Sequence, residues 1–186
     1  MNIRAVTKCL SSLGWTTFAD EVGEKCATYL LSDRVVQVIY GLRKYGSEQQ
    51  LEVMRSVSTT GFSEACATID PAYGEHAPLI RDRKGLCLRA DEISDEHVRQ
   101  ACAETIEWAE DQDLGLALEH YAALPTNAPG ARPIWHLAAL ATLARVEDLR
   151  RYQVSFGSGD RLGFVNYVTK DYIDRAVLIA GGSVAS

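Results

Sequence analysis

Residues 25–57 read KCATYLLSDRVVQVIYGLRKYGSEQQLEVMRSV, and three runs within them alternate with a period of two. The runs are residues 26–31, 35–42 and 51–57, and short polar stretches separate them. Alternation with turn residues between the runs predicts three antiparallel strands in a meander. Both faces of the second run are apolar, so this strand is expected to be central or to be covered on its second face by a partner.

Helical and extended patterns flank this meander. Residues 3–13 and 62–69 have helical spacing, and residues 78–88 suit one strand or a hairpin. Ser94 is a good N-cap for a further helix that continues to Asp111. The predicted fold class is therefore α+β, with an antiparallel sheet made of the three-strand meander and one or two further strands, and with flanking helices.

The last third of the chain has helical patterns. Residues 125–132 contain two prolines and a glycine, which indicates a linker. Helical spacing follows around residues 133–144, 147–156 and 169–180, whereas residues 162–168 suit an extended segment. We expect an α+β domain over residues 1–124 and a helical C-terminal extension over residues 125–186 that packs on the same core.

Composition and charge limit the class of partner. The chain has 186 residues, of which 47% are hydrophobic and 24% charged, as in an ordinary globular protein. The formal net charge is -6, and residues 61–124 hold 5 basic and 14 acidic residues. Nucleic acids and anionic membranes are bound by clustered lysine and arginine, so this charge distribution argues against both as the main partner.

The cysteines and the N-terminus indicate the compartment. The five cysteines lie in apolar patterns without a C-x-x-C pair, which predicts reduced core residues in a reducing compartment: Cys9, Cys26, Cys66, Cys87 and Cys102. The first residues lack the apolar segment of a signal peptide, and no run of 18 apolar residues occurs. A soluble cytoplasmic protein is expected.

The helix after Ser94 has one strongly acidic side, which we call the acidic face. At about 100° per residue its carboxylates fall on one side of the helix; they are Glu96, Glu104, Glu107, Glu110 and Asp111. The opposite side carries Val98, Ala101, Cys102, Thr105, Ile106 and Ala109. Between Asp91 and Glu119 there are ten carboxylates and one basic residue, Arg99. Solvated helices usually mix charges, so the acidic face predicts either a docking surface for a basic partner or an ordinary solvated side.

Motifs for catalysis, cofactors and metals are weak. The four histidines form no H-E-x-x-H motif and no i, i+4 pair, and the glycines at 157, 159 and 163 lack the Gly-Lys-Ser/Thr of a phosphate loop. The sequence therefore predicts no catalytic residue, no cofactor and no metal site. The alternative is an enzyme whose active site is assembled from positions far apart in the sequence, such as His136, Asp160 and Arg161.

The order of the first elements resembles that of class I type III secretion chaperones. The resemblance is carried by residues 9–14 in the opening helix, 25–33 and 35–40 in the first two strands, and 51–57 in the third. It covers about residues 1–110 and is a pattern of element order without a signature motif. It implies a small, acidic, cytoplasmic bacterial protein that is usually dimeric and has no catalytic residues.

These observations favour a non-enzymatic cytoplasmic protein that binds another protein, in the manner of a secretion chaperone. The expected partner has a basic surface. A homodimer is also possible from the sequence. The first alternative is an immunity protein that neutralises a toxin. The second is a hydrolase or transferase with a non-contiguous site.

Overall fold

The computed structural model describes residues 1–74, 76–130 and 132–182, and within them the chain is α+β, as the sequence predicts. It divides into two compact units. The sheet unit contains residues 1–58 and 80–112, and the helical unit contains the described residues within 59–79 and 113–182. The helical unit thus combines segments from before and after Leu124, and the predicted domain division at this residue stays a prediction.

The elements of the described residues are as follows. The helices are α1 (Ile3–Ser12), α2 (Thr60–Ile69), α3 (Asp95–Glu110), α4 (Leu114–Ala122), α5 (Arg132–Thr142), α6 (Val146–Gly157) and α7 (Lys170–Gly182). The strands are β1 (Thr16–Ala19), β2 (Lys25–Leu31), β3 (Arg34–Tyr45), β4 (Glu48–Thr59), β5 (Ile80–Arg81) and β6 (Leu86–Ala90). A single 3-10 turn covers Pro71–Tyr73.

The predicted meander is confirmed as β2, β3 and β4, and the sheet is larger than expected. Strand β1 adds to β2 on one side, and β5 and β6 both pair with β4 on the other. The segment 78–88 is thus not a hairpin, because its two short strands lie end to end along β4 rather than against each other. A turn at residues 82–85 separates them, where the Lys84 N–H donates to Asp82 Oδ1 (3.0 Å) and Gly85 has a φ of 67°.

Strand β3 lies between β2 and β4, which confirms its predicted central position. Val36, Val38 and Tyr40 are buried on its inner face, which is covered by α1 and α3. On its outer face Val35 and Ile39 are half-buried. Burying one face of a central strand against helices removes its large apolar side chains from water, which is the main favourable term in folding.

The helical unit is organised around α5, which packs against α2, α4, α6 and α7. Its alanines at 138, 139 and 141 are fully buried, and their small side chains let the surrounding helices approach closely. Residues 162–168, expected to be extended, form turns instead. Leu162 and Gly163 have φ values of 51° and 82°, which a strand does not allow.

In the described part of the chain, no helix combines the length and apolar character needed to cross a bilayer.

Four of the five cysteines are buried free thiols, as expected, and Cys87 is the exception because it is exposed. Cys87 lies on β6 between the half-buried Leu86 and Leu88, so strand alternation turns its side chain outward. Burial raises the pKa of Cys66 strongly and that of Cys102 to about 11. These two thiols are therefore poor nucleophiles at neutral pH.

We expect Cys87 alone to react quickly with a thiol reagent such as DTNB in the native protein. The four buried thiols should react only on the timescale of unfolding, because they lack access to the reagent and, for Cys66 and Cys102, thiolate character. Absorbance of the released thiolate measures both phases. A Cys87→Ser variant that kept the fast phase would contradict this assignment.

Candidate functional site

Helix α3 begins and ends where the sequence predicts. Ser94 is its N-cap, and the Ser94 backbone N–H donates to Nδ1 of His97 (3.1 Å). The helix ends at Glu110, and Asp113 then caps α4 by accepting a hydrogen bond from the Leu116 N–H through Oδ1 (2.8 Å). The capping role of Asp113 explains why the acidic helix stops and a new one starts at this point.

The two predicted sides of α3 are present in the structure. The inward side is buried at five of the six predicted positions, and Ile106 is half-buried; the five are Val98, Ala101, Cys102, Thr105 and Ala109. On the acidic face, the exposed residues are Glu96, Glu107, Glu110 and Asp111. Glu104 is half-buried, and its Oε1 accepts a hydrogen bond from Gln100 Nε2 (2.8 Å).

No carboxylate of the acidic face forms an ion pair with any residue that the structure describes. Glu107 lies three residues before Glu110 and four before Asp111, so these like charges are neighbours on the helix surface. All three lie in the last turn or at the C-cap, where the helix dipole is negative and disfavours anions. The C-terminal end of the acidic face therefore carries three neighbouring carboxylates without an ion-pair partner among the described residues.

Arg34, at the start of β3, holds the C-terminal end of α3 against the sheet. Its Nη1 donates to the carbonyl of Ala109 and to that of Gln112 (3.0 Å). These two carbonyls lie at the end of α3, where backbone acceptors lack partners within the helix. A cation at this end also interacts favourably with the helix dipole.

Arg55, on β4, makes a second connection to α3. Its Nε donates to Asp82 Oδ2 (2.7 Å), its Nη1 donates to the carbonyl of Glu104 (3.0 Å), and its guanidinium lies 5.0 Å from the ring centroid of Trp108. The side chains of Arg55 and Asp82 are each only 14% exposed. We call Arg34, Arg55 and Asp82 the arginine clamp.

Two opposing effects act on the Asp82 carboxyl. Burial raises its pKa, but hydrogen bonds from Arg55 and from the backbone N–H groups of Lys84 and Gly85 outweigh burial, so the pKa is lower than 3.8. Asp82 is therefore ionised at neutral pH and pairs with the Arg55 cation.

The arginine clamp was not predicted, although the sequence holds a signal for it. Arg34 lies two residues before Val36, and Arg55 lies two residues after Val53, so strand alternation places both arginines on the inner, helix-covered face. A charged residue at an inward position of an apolar strand needs a buried partner. The partners themselves come from distant segments and leave no local pattern.

His136, part of the alternative enzymatic site, is buried, with 2% of its surface exposed. Its Nδ1 lies 3.0 Å from the carbonyl of Tyr121 and its Nε2 lies 3.1 Å from the hydroxyl of Tyr152. A carbonyl only accepts, so Nδ1 carries the proton and Nε2 accepts from the tyrosine. Burial lowers the pKa of His136 below 6.5, and the hydrogen bond to Tyr121 opposes this only in part.

Asp160 and Arg161 are also engaged within their own loop. Asp160 Oδ1 accepts from the Leu162 N–H (2.9 Å), and Arg161 Nη2 donates to the carbonyls of Val165 (2.8 Å) and Val168 (2.7 Å). In the described ranges, no hydrogen bond joins any two of His136, Asp160 and Arg161, and no group of three or more metal-ligating side chains converges.

Comparison with known proteins identifies a family whose function is unknown. The sequence pattern of a family of unknown function (DUF6990) matches residues 2–181, which includes residues of both units. No curated protein and no solved structure shows significant similarity to the chain.

We expect Arg55→Met to lower the free energy of unfolding by about 3 kcal/mol, since removing one partner of a buried pair leaves the other charge uncompensated. Urea unfolding measures this change. The control is Arg43→Met, which removes an exposed pair with Glu52 and should cost less than about 1 kcal/mol. Equal losses in the two variants would show that the clamp contributes no more than a surface ion pair.

We expect the free energy of unfolding to fall as the pH is lowered below about 6.5. The unfolded chain binds a proton at His136 near its ordinary pKa of 6.5, whereas the folded chain does not until a lower pH. The stabilisation from the neutral His136 ring is fully present above pH 6.5. As the pH falls, it decreases by up to about 1.4 kcal/mol per pH unit until the pH reaches the pKa of His136 in the folded chain. His136→Gln should remove this part of the pH dependence, and the exposed control His120→Gln should retain it.

Proposed function

The chain belongs to DUF6990, a family of unknown function, and we propose that it is a non-enzymatic protein that binds a basic partner protein through the acidic face of α3. The proposal rests on one observation. Glu107, Glu110 and Asp111 are exposed, adjacent on the helix surface, and without an ion pair among the described residues.

Electrostatics favour a basic partner at this surface. Like charges three or four residues apart destabilise a helix by about 0.2–0.5 kcal/mol per pair. Anions at a helix C-terminus add an unfavourable term of about 0.3–1 kcal/mol each at low ionic strength. Lysine or arginine side chains of a partner relieve both terms, and the opposite charges also accelerate association by steering.

The arginine clamp supports the proposal because it holds the acidic face in place before a partner binds. Arg34 bonds the carbonyls of Ala109 and Gln112, and Arg55 bonds that of Glu104, so both fix the backbone beneath the exposed carboxylates. A surface that is already ordered loses less conformational entropy on binding than a mobile one.

The order of elements supports a binding role of the secretion-chaperone type. In residues 1–110 an opening helix precedes the meander, then α2, two short strands and α3. Strand β1 and the additional helices of the helical unit are extra to that pattern. In this proposal the protein acts in the cytoplasm, where reducing conditions keep its five cysteines as free thiols.

The test begins by identifying the partner through co-purification with the full-length chain from its native cell. Affinity is then measured for the purified partner and the variant Glu107→Lys, Glu110→Lys, Asp111→Lys. We expect the variant to bind at least about tenfold more weakly, because like charges across an interface cost several kcal/mol. Wild-type affinity should also fall with added salt, which screens exposed charges.

The matched control reverses three exposed carboxylates outside α3, with Glu21→Lys, Glu24→Lys and Glu48→Lys. This variant has the same net charge and should bind within about threefold of the wild type if docking depends on local charge. Equally weaker binding by both variants would show that only the net charge matters, which contradicts docking at the acidic face. Unchanged binding by the α3 variant would exclude the acidic face as the docking surface.

The identified partner also separates the two kinds of protein binding. A chaperone partner is unfolded or aggregates when produced alone and awaits export. An immunity partner is folded and toxic when produced alone, and the α3 variant should then fail to protect the cell.

A further inference from the structure

An open groove of about 330 Å³ in the sheet unit lies between the first turns of α1 and the strands β1, β2 and β3. Small-molecule sites in proteins occupy about 300–1,000 Å³, so this volume suits a compact ligand. No residue of the acidic face lines the groove, so its use is independent of the function proposed above.

Two cations line this groove without a partner. Arg4 and Lys25 are exposed, and neither forms an ion pair with a residue that the structure describes. Arg4 lies in the first turn of α1, which contains no acidic residue. The positive end of the helix dipole disfavours a cation there, and an anion in the groove would relieve this effect.

A hydrogen-bonded pair of hydroxyl groups forms part of the groove wall. The Tyr40 hydroxyl lies 2.8 Å from Thr7 Oγ1, and both residues line the groove. Burial raises the pKa of Tyr40, so its hydroxyl keeps its proton at neutral pH. Thr7 Oγ1 donates to the carbonyl of Ile3 (3.0 Å), so the Tyr40 hydroxyl donates to Thr7 and the pair forms a fixed polar part of the groove wall.

Apolar side chains complete the lining. Phe18 is 42% exposed and Ile3 is half-buried, and both contribute to the groove wall. Two cations beside an aromatic ring suit a molecule with a charged end and a compact apolar end.

We propose that this groove binds a small organic anion, with its carboxylate or phosphate between Arg4 and Lys25 and its apolar group against Phe18 and Ile3. The ligand class is an arylalkyl or short branched alkyl acid or its phosphate counterpart. Carboxylate and phosphate both pair with the cations of lysine and arginine, so separate probes distinguish them.

The test titrates 3-phenylpropionate and phenyl phosphate into the full-length protein and follows backbone amide shifts by NMR. We expect saturable shifts at α1, β1 and β2 with a dissociation constant of about 1 mM or tighter for at least one probe. The neutral 3-phenylpropan-1-ol should bind at least about fivefold more weakly because it lacks the charge. Acetate and inorganic phosphate should be weaker as well, because they lack the apolar end.

The variants Arg4→Gln and Lys25→Gln should each weaken binding of the preferred anion at least about fivefold, since hydrogen bonds to charged groups are the strong ones. Both side chains are exposed, so the fold should be retained, which circular dichroism verifies. Lys8→Gln is the control, because Lys8 is exposed on α1 and does not line the groove.

Three results would overturn the proposal. The first is the absence of saturable shifts with both anions up to about 10 mM, far above the affinity expected for a ligand of this size. The second is equal binding of the neutral alcohol. The third is equal weakening by Lys8→Gln, which would indicate general attraction to a basic surface.

Discussion

A guanidinium that folding removes from water must be surrounded by acceptors, and Arg55 meets this requirement with groups from two other segments. Strand β4 supplies the cation, the turn after β5 supplies Asp82, and α3 supplies the Glu104 carbonyl and the Trp108 ring. Loss of any one of these leaves the others incompletely paired in a poorly solvated position. Arg55 therefore links α3 and the segment between β5 and β6 to strand β4, in addition to the buried side of α3 and the bonds of Arg34.

In the sheet unit, arginines lie on the inner side of α3 and carboxylates lie on its outer side. Arginines reach α3 from the sheet side and bond its backbone carbonyls, whereas the carboxylates of the same helix point to solvent. The same helix is thus anchored on its inner side, and its outer carboxylates have no ion-pair partner among the described residues, which is the basis of the proposed docking surface.

Strong local patterns made much of the fold predictable. Strands β2 to β4 show a period of two, and α3 has a cap at Ser94, a solvent-facing side and a break before Asp113. Strand β1 has only four residues, too few for a period to show. Segments far apart in the chain build the arginine clamp and the groove near Arg4, so no local pattern reveals either. The Cys87 side chain points outward because of the register of β6 on β4, and local composition does not determine that register.

The two units alternate along the chain, which affects how the protein is made. Strand β4 leaves the ribosome well before β5 and β6, because α2 and the following loop come between them. During this interval one edge of β4 has no strand to pair with, and unpaired edges are templates for aggregation. Slower elongation through residues 59–79 would lengthen the exposure, so codon usage in that segment should influence the yield of soluble protein.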